Sequence, residues 1–281
     1  ISDFLQLNGI EVIGPSKFAS QLETSKYFTK QICSLAEVKT AKWLVFVNAK
    51  EAKKSLKNKK FPLVIKMDSL AAGKGVLVAK TLSEANKFLN KIIKGSLGNS
   101  DSKIIIEECL YGEEGSFFFA VDGLSAKFLG SAKDYKTVGE GNKGLNTGGM
   151  GCISPSPKEN KKVIDNILKD IINPTLKIML KLGYPYKGFL YAGVMFTKKG
   201  IYLIEYNVRL GDPECQAILA RIETDLVDIC IAVQNKTLKK INIIQSKQIT
   251  SCVVIATRNY PEEYKKNIKI FGLNKVNTKN N

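Results

Sequence analysis

Histidine is absent from this chain of 281 residues, and arginine is scarce. Without an imidazole group, the protein cannot use a serine–histidine triad or a histidine-ligated zinc ion. Arginine occurs only at Arg209, Arg221 and Arg258, although 43 lysines and arginines oppose 26 acidic residues and leave a formal net charge of +17. Such a charge attracts anionic partners, but surfaces that read nucleic-acid bases usually favour arginine. We therefore favour a solvated lysine surface over nucleic-acid binding, which stays the alternative.

Paired cysteines and long apolar runs are also missing. The six cysteines show no C-x-x-C spacing, which argues against structural zinc and is typical of reduced intracellular thiols. No apolar run approaches the roughly 20 residues that a membrane-spanning helix needs. The chain begins at Ile1 without a basic segment followed by an apolar one, so we predict no targeting signal and a cytoplasmic location. With 44 % apolar and 25 % charged residues, the composition is that of an ordinary globular protein with a substantial core.

Helical and strand-like patterns alternate along the chain. Apolar residues recur at helical spacing in 16–35 and, behind the capping box that begins at Thr81, in 85–93. A further helix is predicted at 158–182, interrupted before Pro174. The glycine-rich segment 133–156 is predicted to be a long loop and is the best lid candidate. Strands are predicted at 61–67, 76–79, 103–108, 116–121, 189–197, 201–207 and 250–256.

The loop at 68–75 (DSLAAGKG) lies between two predicted strands and contains Lys74. It is not a P-loop, because the residues after Lys74 continue as a strand rather than a helix. A glycine-rich hairpin can still fold its backbone amides and a lysine over a triphosphate, and Lys66 on the preceding apolar strand needs either solvent or an anion. The alternatives are a plain surface turn and a lysine that extends into water. The two lysines together indicate a shared phosphate chain more strongly than either does alone.

Three polar residues, Glu205, Asn207 and Arg209, alternate along the strand predicted near the C-terminal third of the chain. Alternate residues of a strand share a face, so their side chains should converge. Carboxylate and amide oxygens suit Mg²⁺, which commonly bridges substrate phosphates, and an arginine can neutralise a phosphoryl group or grip a carboxylate. The turn at 211–214 (GDPE) adds two acids. The alternative is an exposed polar strand face.

Four acids, Glu107, Glu108, Glu113 and Glu114, bracket a strand–loop–strand connection. An acid there could hold ribose hydroxyls while backbone groups of the connection read a purine edge. From the residues alone, solvated hairpin acids are the better supported interpretation.

Taken in order, these segments resemble the phosphoribosylamine–glycine ligase (glycinamide ribonucleotide synthetase) family of the ATP-grasp superfamily. The resemblance covers nearly the whole chain, and the run NTGGMG followed at a distance by EYNVRLGDPE is highly specific. The segments that carry it are 14–30 (GPSKFASQLETSKYFTK), 61–79 (FPLVIKMDSLAAGKGVLVA), 104–117 (IIIEECLYGEEGSF), 133–157 (KDYKTVGEGNKGLNTGGMGCISPSP) and 188–216 (GFLYAGVMF…LIEYNVRLGDPECQ).

The resemblance implies a fold of the α+β or α/β class, an ATP-grasp fold in which two α+β subdomains clasp the nucleotide. Residues 1–27 would then end a preceding domain and its connecting helix. Residues 28–234 would form the ATP-grasp domain, with a small lid subdomain at about 40–107 and a large one at about 108–234, and 235–281 would begin a truncated C-terminal domain. Because most of the family's preceding domain is missing, we expect nucleotide binding with impaired turnover.

The resemblance also implies an ATP-dependent ligase of purine biosynthesis that joins glycine to 5-phosphoribosylamine through a glycyl phosphate. ATP and Mg²⁺ (or Mn²⁺) are the implied cofactors. The implied partners are the two small substrates, with no nucleic acid and no membrane, and a monomer is expected rather than an obligate oligomer. The implied roles are catalysis by Lys66, Arg209 and Asp212, ATP binding by Lys26, Lys66, Lys74, Glu107, Glu108, Leu110 and Glu114, substrate binding by Asp134, Asn146, Thr147, Gly148, Gly149, Met150 and Arg209, and metal binding by Glu205 and Asn207.

This sequence departs from the family pattern at a few positions. Tyr135 stands where the family usually has histidine, Met67 and Ser69 where alanine and glycine are usual, and Leu145 where proline is usual. These differences concern substrate positioning rather than ATP binding. A different carboxylate–amine ligase of the same superfamily and a nucleotide-binding remnant without turnover are the two further alternatives.

Overall fold

Two antiparallel sheets and a two-stranded ribbon organise the described part of the chain. The structure is a computed structural model that describes residues 1–69, 75–97, 101–141 and 143–275. The strands are β1 (Trp43–Phe46), β2 (Leu63–Met67), β3 (Val76–Ala79), β4 (Ile104–Glu108), β5 (Glu113–Asp122), β6 (Ala126–Asp134), β7 (Thr137–Gly139), β8 (Lys143–Asn146), β9 (Gly151–Ser154), β10 (Lys187–Thr197), β11 (Gly200–Asn207) and β12 (Thr250–Val253).

The helices cover the faces of these sheets. None of those in the described ranges is both long and apolar enough to cross a membrane. They are α1 (Ser2–Leu7), α2 (Gln21–Thr24), α3 (Lys26–Leu35), α4 (Ala49–Ser55), α5 (Leu82–Ile93), α6 (Lys161–Ile167), α7 (Asn173–Lys181), α8 (Glu214–Leu219) and α9 (Leu226–Gln234), with a π-helical segment (Leu168–Ile172) between α6 and α7.

The smaller sheet has the strand order β1-β4-β2-β3 and packs one face on helices α4 and α5. Leu63, Ile65 and Met67 of β2 point into that core because alternate residues of a strand share a face. Lys66 therefore points to the other face. The register of β2 with β4 makes Glu107 its diagonal neighbour on that face. The strand alternation thus places one lysine and one glutamate on the side of the sheet that faces away from α4 and α5.

The larger sheet has the strand order β11-β10-β5-β6-β9-β12 and is covered on both faces. Phe117 and Phe119 of β5 pack with residues from α3, α6 and α7, whereas Phe118 packs with residues from α8 and α9. A strand that is buried on both faces reads as a continuous apolar run, which explains why β5 shows no alternation in the sequence. All strand pairs among the named strands are antiparallel, so the α+β alternative of the predicted fold class is the one confirmed.

Most of the predicted elements are confirmed. The capping box is present, because the Thr81 hydroxyl accepts a hydrogen bond from the Glu84 amide at 3.2 Å and opens α5. The interruption of the long helix falls directly before Pro174, where the π-helical segment ends. The last predicted strand is shorter than expected, since β12 ends at Val253.

The prediction of one long loop at 133–156 was wrong. This segment contains the end of β6, the β7–β8 ribbon and β9, which pairs with β6 and β12. Glycine-rich composition misled the prediction, because several of these glycines allow bends and close strand contacts inside a sheet rather than a free loop. At Gly151, for example, a Cβ atom would lie 2.7 Å from the Cys252 carbonyl oxygen of β12.

The single helix predicted at 16–35 is also wrong, because the chain breaks at Ser25. This residue has extended backbone angles (φ −128°, ψ 110°) and ends α2, while its hydroxyl accepts a hydrogen bond from the Phe28 amide and caps α3. The same hydroxyl donates to the Asp68 carboxylate at 3.1 Å, and that carboxylate also accepts from the Tyr27 amide at 3.1 Å. The break therefore fixes the start of α3 against the end of β2.

Replacing Ser25 with alanine should lower the free energy of unfolding by about 1–2 kcal/mol, because the helix cap and the hydrogen bond to Asp68 are both lost. Urea denaturation measures the change. Ser25→Thr is the matched control, since it keeps the hydroxyl and should recover most of the stability. Equal stability of Ser25→Ala and wild type would contradict this account of the break.

Candidate functional site

Two buried lysines share one buried glutamate where the smaller sheet meets α3. The Lys66 Nζ atom lies 3.0 Å from Glu107 Oε2, and the Lys30 Nζ atom lies 3.0 Å from Glu107 Oε1. The three residues are only 3–5 % exposed. Burial lowers the pKa of Lys30, and the neighbouring Glu107 carboxylate opposes that effect. Isolated charges are costly to bury, so this group is tolerable only because opposite charges are in contact.

The lysine–glutamate group also joins the smaller sheet to the larger one. The Lys66 ammonium group lies 3.4 Å from the Ile204 carbonyl oxygen of β11. The Lys30 ammonium group donates to the Thr40 hydroxyl, which in turn donates to the Leu203 carbonyl oxygen at 2.8 Å. Consecutive carbonyl groups of β11 therefore receive the two lysines, one directly and one through a threonine.

A bulge in β11 determines which side chains follow. The pairing of β10 with β11 shifts between Gly193 and Val194, so that Ile204 is the extra residue. Strict alternation would place Ile204 and Glu205 on opposite faces, but both line the same polar cavity. The bulge therefore brings Ile204 to the cavity beside Glu205. Asn207 pairs with Tyr191, another residue of the cavity wall, and so lies on the same face.

The polar cavity is partly open to solvent, and its volume of about 10 Å³ is enough for about one water molecule. Tyr191 makes the largest contribution to the raised pKa of Lys136, and Glu205 adds to it. Burial lowers the pKa of Lys26, and Glu205 opposes that lowering. The cavity is lined by Glu114, Gly115, Ser116, Asp134, Lys136, Tyr191, Gly193, Val194, Ile204 and Glu205.

Asp134 and Glu214 form the acidic end of this region. The Glu214 carboxylate accepts a hydrogen bond from the Ser116 hydroxyl at 3.1 Å and is buried at the start of α8. The Asp134 Oδ1 atom is buried and has no hydrogen-bond partner. Burial, with a further contribution from Glu214, raises the pKa of Asp134 to about 7. Asp134 can therefore take up or release a proton near neutral pH.

The glycine-rich segment after β8 lies directly against these acids. The Thr147 hydroxyl donates to the Lys136 carbonyl oxygen and accepts from the Gly149 amide. Gly149 has φ +127°, and a Cβ atom there would lie 2.5 Å from Pro213 and 3.0 Å from the Asp134 carboxylate. Only glycine fits this position.

The residues of the 146–150 segment that were predicted to bind substrate do not share one environment. Asn146 ends β8, opposite Thr137, and is exposed. The Gly148 amide lies 3.4 Å from the Tyr260 hydroxyl oxygen. The Met150 backbone bonds Tyr135 and Val254, so it belongs to the strand region that leads into β9.

Arg209 and Asp212 lie beyond the end of β11. The strand ends at Asn207, so the predicted alternation does not extend to Arg209, which is a correction. The Arg209 side chain is 56 % exposed and forms an ion pair with Glu23 at 3.2 Å. The Asp212 carboxylate accepts a hydrogen bond from the Gln216 side chain at 2.9 Å.

The remaining predicted nucleotide ligands surround the connection between the two sheets. The Lys26 ammonium group donates to the Ser69 carbonyl oxygen at 3.2 Å. Glu108 accepts from the Lys42 amide at 3.0 Å, Leu110 is half-buried in the segment that leads to β5, and Glu114 forms an ion pair with Lys136 at 3.2 Å. Lys74 lies outside the described residues.

Sequence reasoning missed several residues that the fold brings to this region. Lys30 carried a signal, since it follows Lys26 by four residues and shares its face of α3. Lys136, Ser116 and Tyr191 carried none, because their roles depend on the register of β5, β6 and β10. Glu214 is a further residue of this region, and the sequence indicated it only as one of the two acids in the 211–214 turn.

The donor set near Glu205 fits a hard divalent cation that also binds phosphates. Among the described residues, no group of three or more acidic, cysteine or histidine side chains is placed to hold a metal ion by itself. Mg²⁺ typically uses one or two protein oxygens and completes its shell with water and substrate phosphates. Glu205 and Asn207 on one face of β11 provide such a pair.

Replacing Asp134 with asparagine should stabilise the protein more at pH 8 than at pH 4.5. Between the ordinary pKa of 3.8 and the folded-state pKa of about 7, the folded chain holds a proton that the unfolded chain has released, so wild-type stability falls as the pH rises. Asparagine removes this dependence. We expect the stability difference to grow by about 1–2 kcal/mol between the two pH values, allowing for partial exposure.

Urea denaturation at both pH values measures this effect. Asp165→Asn is the matched control, because Asp165 is exposed and pairs with the exposed Lys161. It should change stability little at either pH. An Asp134→Asn variant with the same stability difference at pH 4.5 and pH 8 would contradict a proton-holding carboxyl group.

Known proteins are similar to this chain over most of its length. The phosphoribosylglycinamide synthetase ATP-grasp (A) domain family matches residues 24–215. A phosphoribosylamine–glycine ligase of Rhizobium meliloti is 42 % identical over 273 residues, which are 97 % of this chain and 64 % of that protein. This chain therefore spans less than two thirds of that relative's length.

Solved structures show the same fold. The phosphoribosylamine–glycine ligase of Thermotoga maritima has a TM-score of 0.82 at 34 % identity, covering 90 % of this chain and 64 % of that one. The biotin carboxylase domain of Hydrogenobacter thermophilus 2-oxoglutarate carboxylase, in complex with MgADP, has a TM-score of 0.67 at 18 % identity, covering 89 % of this chain and 54 % of that one, and shows the fold alone. From the family match over residues 24–215, this chain belongs to the phosphoribosylglycinamide synthetase family and has its ATP-grasp fold.

Proposed function

We propose that this chain provides the ATP-grasp part of a ligase that joins glycine to 5-phosphoribosylamine. ATP would phosphorylate the glycine carboxylate, giving ADP and glycyl phosphate, and the amine would then displace phosphate to give glycinamide ribonucleotide, an intermediate of purine biosynthesis. The family membership supports the reaction. The observation that carries the proposal is that the buried Lys66 lies beside β11, the strand that bears Glu205. A positive charge for phosphates and a carboxylate suited to a metal ion are thus close together.

A magnesium-bound triphosphate would match this arrangement, with lysines at its phosphates and carboxylate oxygen at its metal ion. Lys26, Lys66 and Lys74 would bind its phosphates, with Lys66 carrying a charge that Glu107 neutralises only in part. Glu108 to Leu110 would form the base-binding part of the connection, and Glu114 would hold the ribose, while Glu107 would serve the nucleotide through its contact with Lys66.

Glu205 and Asn207 would hold Mg²⁺ or Mn²⁺ at the phosphates. When bound, the metal would neutralise charge on the transferring phosphoryl group. The MgADP complex of the Hydrogenobacter domain, which has the same fold, supports the choice of Mg²⁺ and an adenine nucleotide.

The glycine and amine substrates would lie at the acidic end of the cavity. Asp134 and the segment Asn146–Met150 would face them, and Arg209 and Asp212 would act from the edge, where Arg209 must exchange Glu23 for a substrate anion. A carboxyl group with a pKa of about 7 is suited to accept the proton that the attacking amine releases. The remaining catalysis would come from positioning and charge neutralisation, which require no histidine.

The proposed domain division follows the sheets. The smaller sheet, residues 43–108, would be the lid subdomain at about 40–107, and the larger sheet would form the second subdomain at about 108–234. Residues 1–27 and 235–281 would belong to neighbouring domains. We further propose a cytoplasmic monomer that binds neither nucleic acid nor membrane.

The experiment that tests the ligase function measures ADP formation from MgATP. We expect ADP release only when glycine and 5-phosphoribosylamine are both present, and loss of at least 100-fold in Glu205→Gln, because the metal–phosphate contact is removed. The assay is run on this chain and on a chimera that adds the flanking segments of the Rhizobium relative, which should turn over faster.

Other outcomes select the alternatives. ADP formation with another amino acid or amine, and none with glycine, would indicate a different ligase of the same superfamily. Steeply salt-dependent nucleic-acid binding, with no effect of MgATP on thermal stability, would instead assign the net charge of +17 to a nucleic-acid partner.

A further inference from the structure

The carboxylate of Glu107 is shared by two ammonium groups rather than one. Each of its oxygens lies 3.0 Å from a lysine Nζ atom, Oε1 from Lys30 and Oε2 from Lys66. All three side chains are almost wholly buried. Two positive charges and one negative charge leave one unit of positive charge without a counterion inside this group.

The two lysines do not have equivalent positions. Lys66 lies 3.4 Å from the carbonyl oxygen of Ile204, a residue of the cavity wall. The Lys30 ammonium group donates to the Thr40 hydroxyl, which bonds the Leu203 carbonyl oxygen outside the cavity wall, and neither lysine is itself a lining residue. Lys66 therefore contacts the cavity wall directly, through Ile204, whereas the described contacts of Lys30 are with Glu107 and Thr40.

We propose that Lys30 is a positioning residue that acts through Glu107: it engages one carboxylate oxygen, so that Glu107 orients Lys66 without fully neutralising it, and the Lys66 ammonium group stays available to a polyphosphate. The proposal rests on the proposed function for the identity of that ligand as a nucleoside triphosphate. Lys30 itself touches no substrate in this account.

Removing Lys30 should lower the affinity for the ligand without unfolding the protein. The remaining Glu107–Lys66 pair would be electrically neutral, so its attraction for phosphate oxygens would fall. Removing one member of a buried ion-paired group is destabilising, so the urea midpoint should fall, but the Glu107–Lys66 contact remains and the chain should stay folded. A role in phosphate binding and a role in folding thus predict different results for the same variant.

The test compares Lys30→Met with wild type by calorimetric titration. We expect the dissociation constant for MgATP to rise about tenfold or more, while that for adenosine changes less than twofold and the urea denaturation curve shows that the variant is still folded. Lys30→Arg should recover most of the MgATP affinity because it restores the charge. Lys161→Met is the control for net charge, since Lys161 is a surface lysine that is 89 % exposed, and it should bind MgATP like wild type.

Two results would overturn the proposal. One is MgATP binding by Lys30→Met within twofold of wild type. The other is an equal loss of MgATP and adenosine affinity, which would show that Lys30 only maintains the fold.

Inorganic triphosphate separates this proposal from the proposed function. If the wild-type chain binds triphosphate but not MgATP, and Lys30→Met weakens triphosphate binding, the positioning role stands while the nucleotide assignment fails. If wild type binds neither probe, both proposals are overturned.

Discussion

Two lysine ammonium groups share one glutamate carboxylate where the smaller sheet meets the larger one, and the surrounding structure is built around this contact. Burying these charges is tolerable only while the three side chains stay together. Three separate elements must therefore be held in place: α3 brings Lys30, β2 brings Lys66 and β4 brings Glu107. The break at Ser25, with its bond to Asp68, fixes the first of these elements against the second. The Lys66 ammonium group then lies beside Ile204 of the cavity wall.

The cavity wall that carries Glu205 and Asp134 depends on backbone segments that lie in close contact with their neighbours. The bulge at Ile204 turns two consecutive residues of β11 to the same side and so brings Glu205 to the cavity. Gly149 allows its segment to lie against Pro213 and Asp134, and Gly193 leaves room for the Tyr191 hydroxyl, which lies 2.8 Å from where a Cβ atom would be. Larger side chains at these glycines would push the acidic end of the cavity away from the strands that carry it.

Local patterns in the sequence predicted much of the fold. An apolar run identified β2, and the Thr81 capping box identified the start of α5, because both signals come from residues that are near in sequence. The break at Ser25 could not be predicted, since it depends on Asp68, which lies 43 residues away. Glycine content suggested a loop where strands occur, because composition does not show which glycines are bends within a sheet.

The site was predictable to a similar extent and for the same reason. Lys66 was identified because a lysine in an apolar strand needs an anion, and Glu205 and Asn207 because they alternate. The contact of Lys66 with β11 of the other sheet, and the ion pair of Lys30 with Glu107, depend on strand register and packing that no local pattern contains. The same limit explains Arg209, which continues the alternation in the sequence but lies beyond the end of the strand.

The central claim is that Lys66 and Glu205 bind one magnesium-bound triphosphate from opposite sides. Calorimetric titration of MgATP into wild type, Lys66→Ala and Glu205→Ala tests it most directly. The account predicts micromolar or tighter binding by wild type and a loss of at least tenfold in each variant, with urea midpoints showing that both variants are folded. Undiminished binding by either folded variant would contradict a shared site.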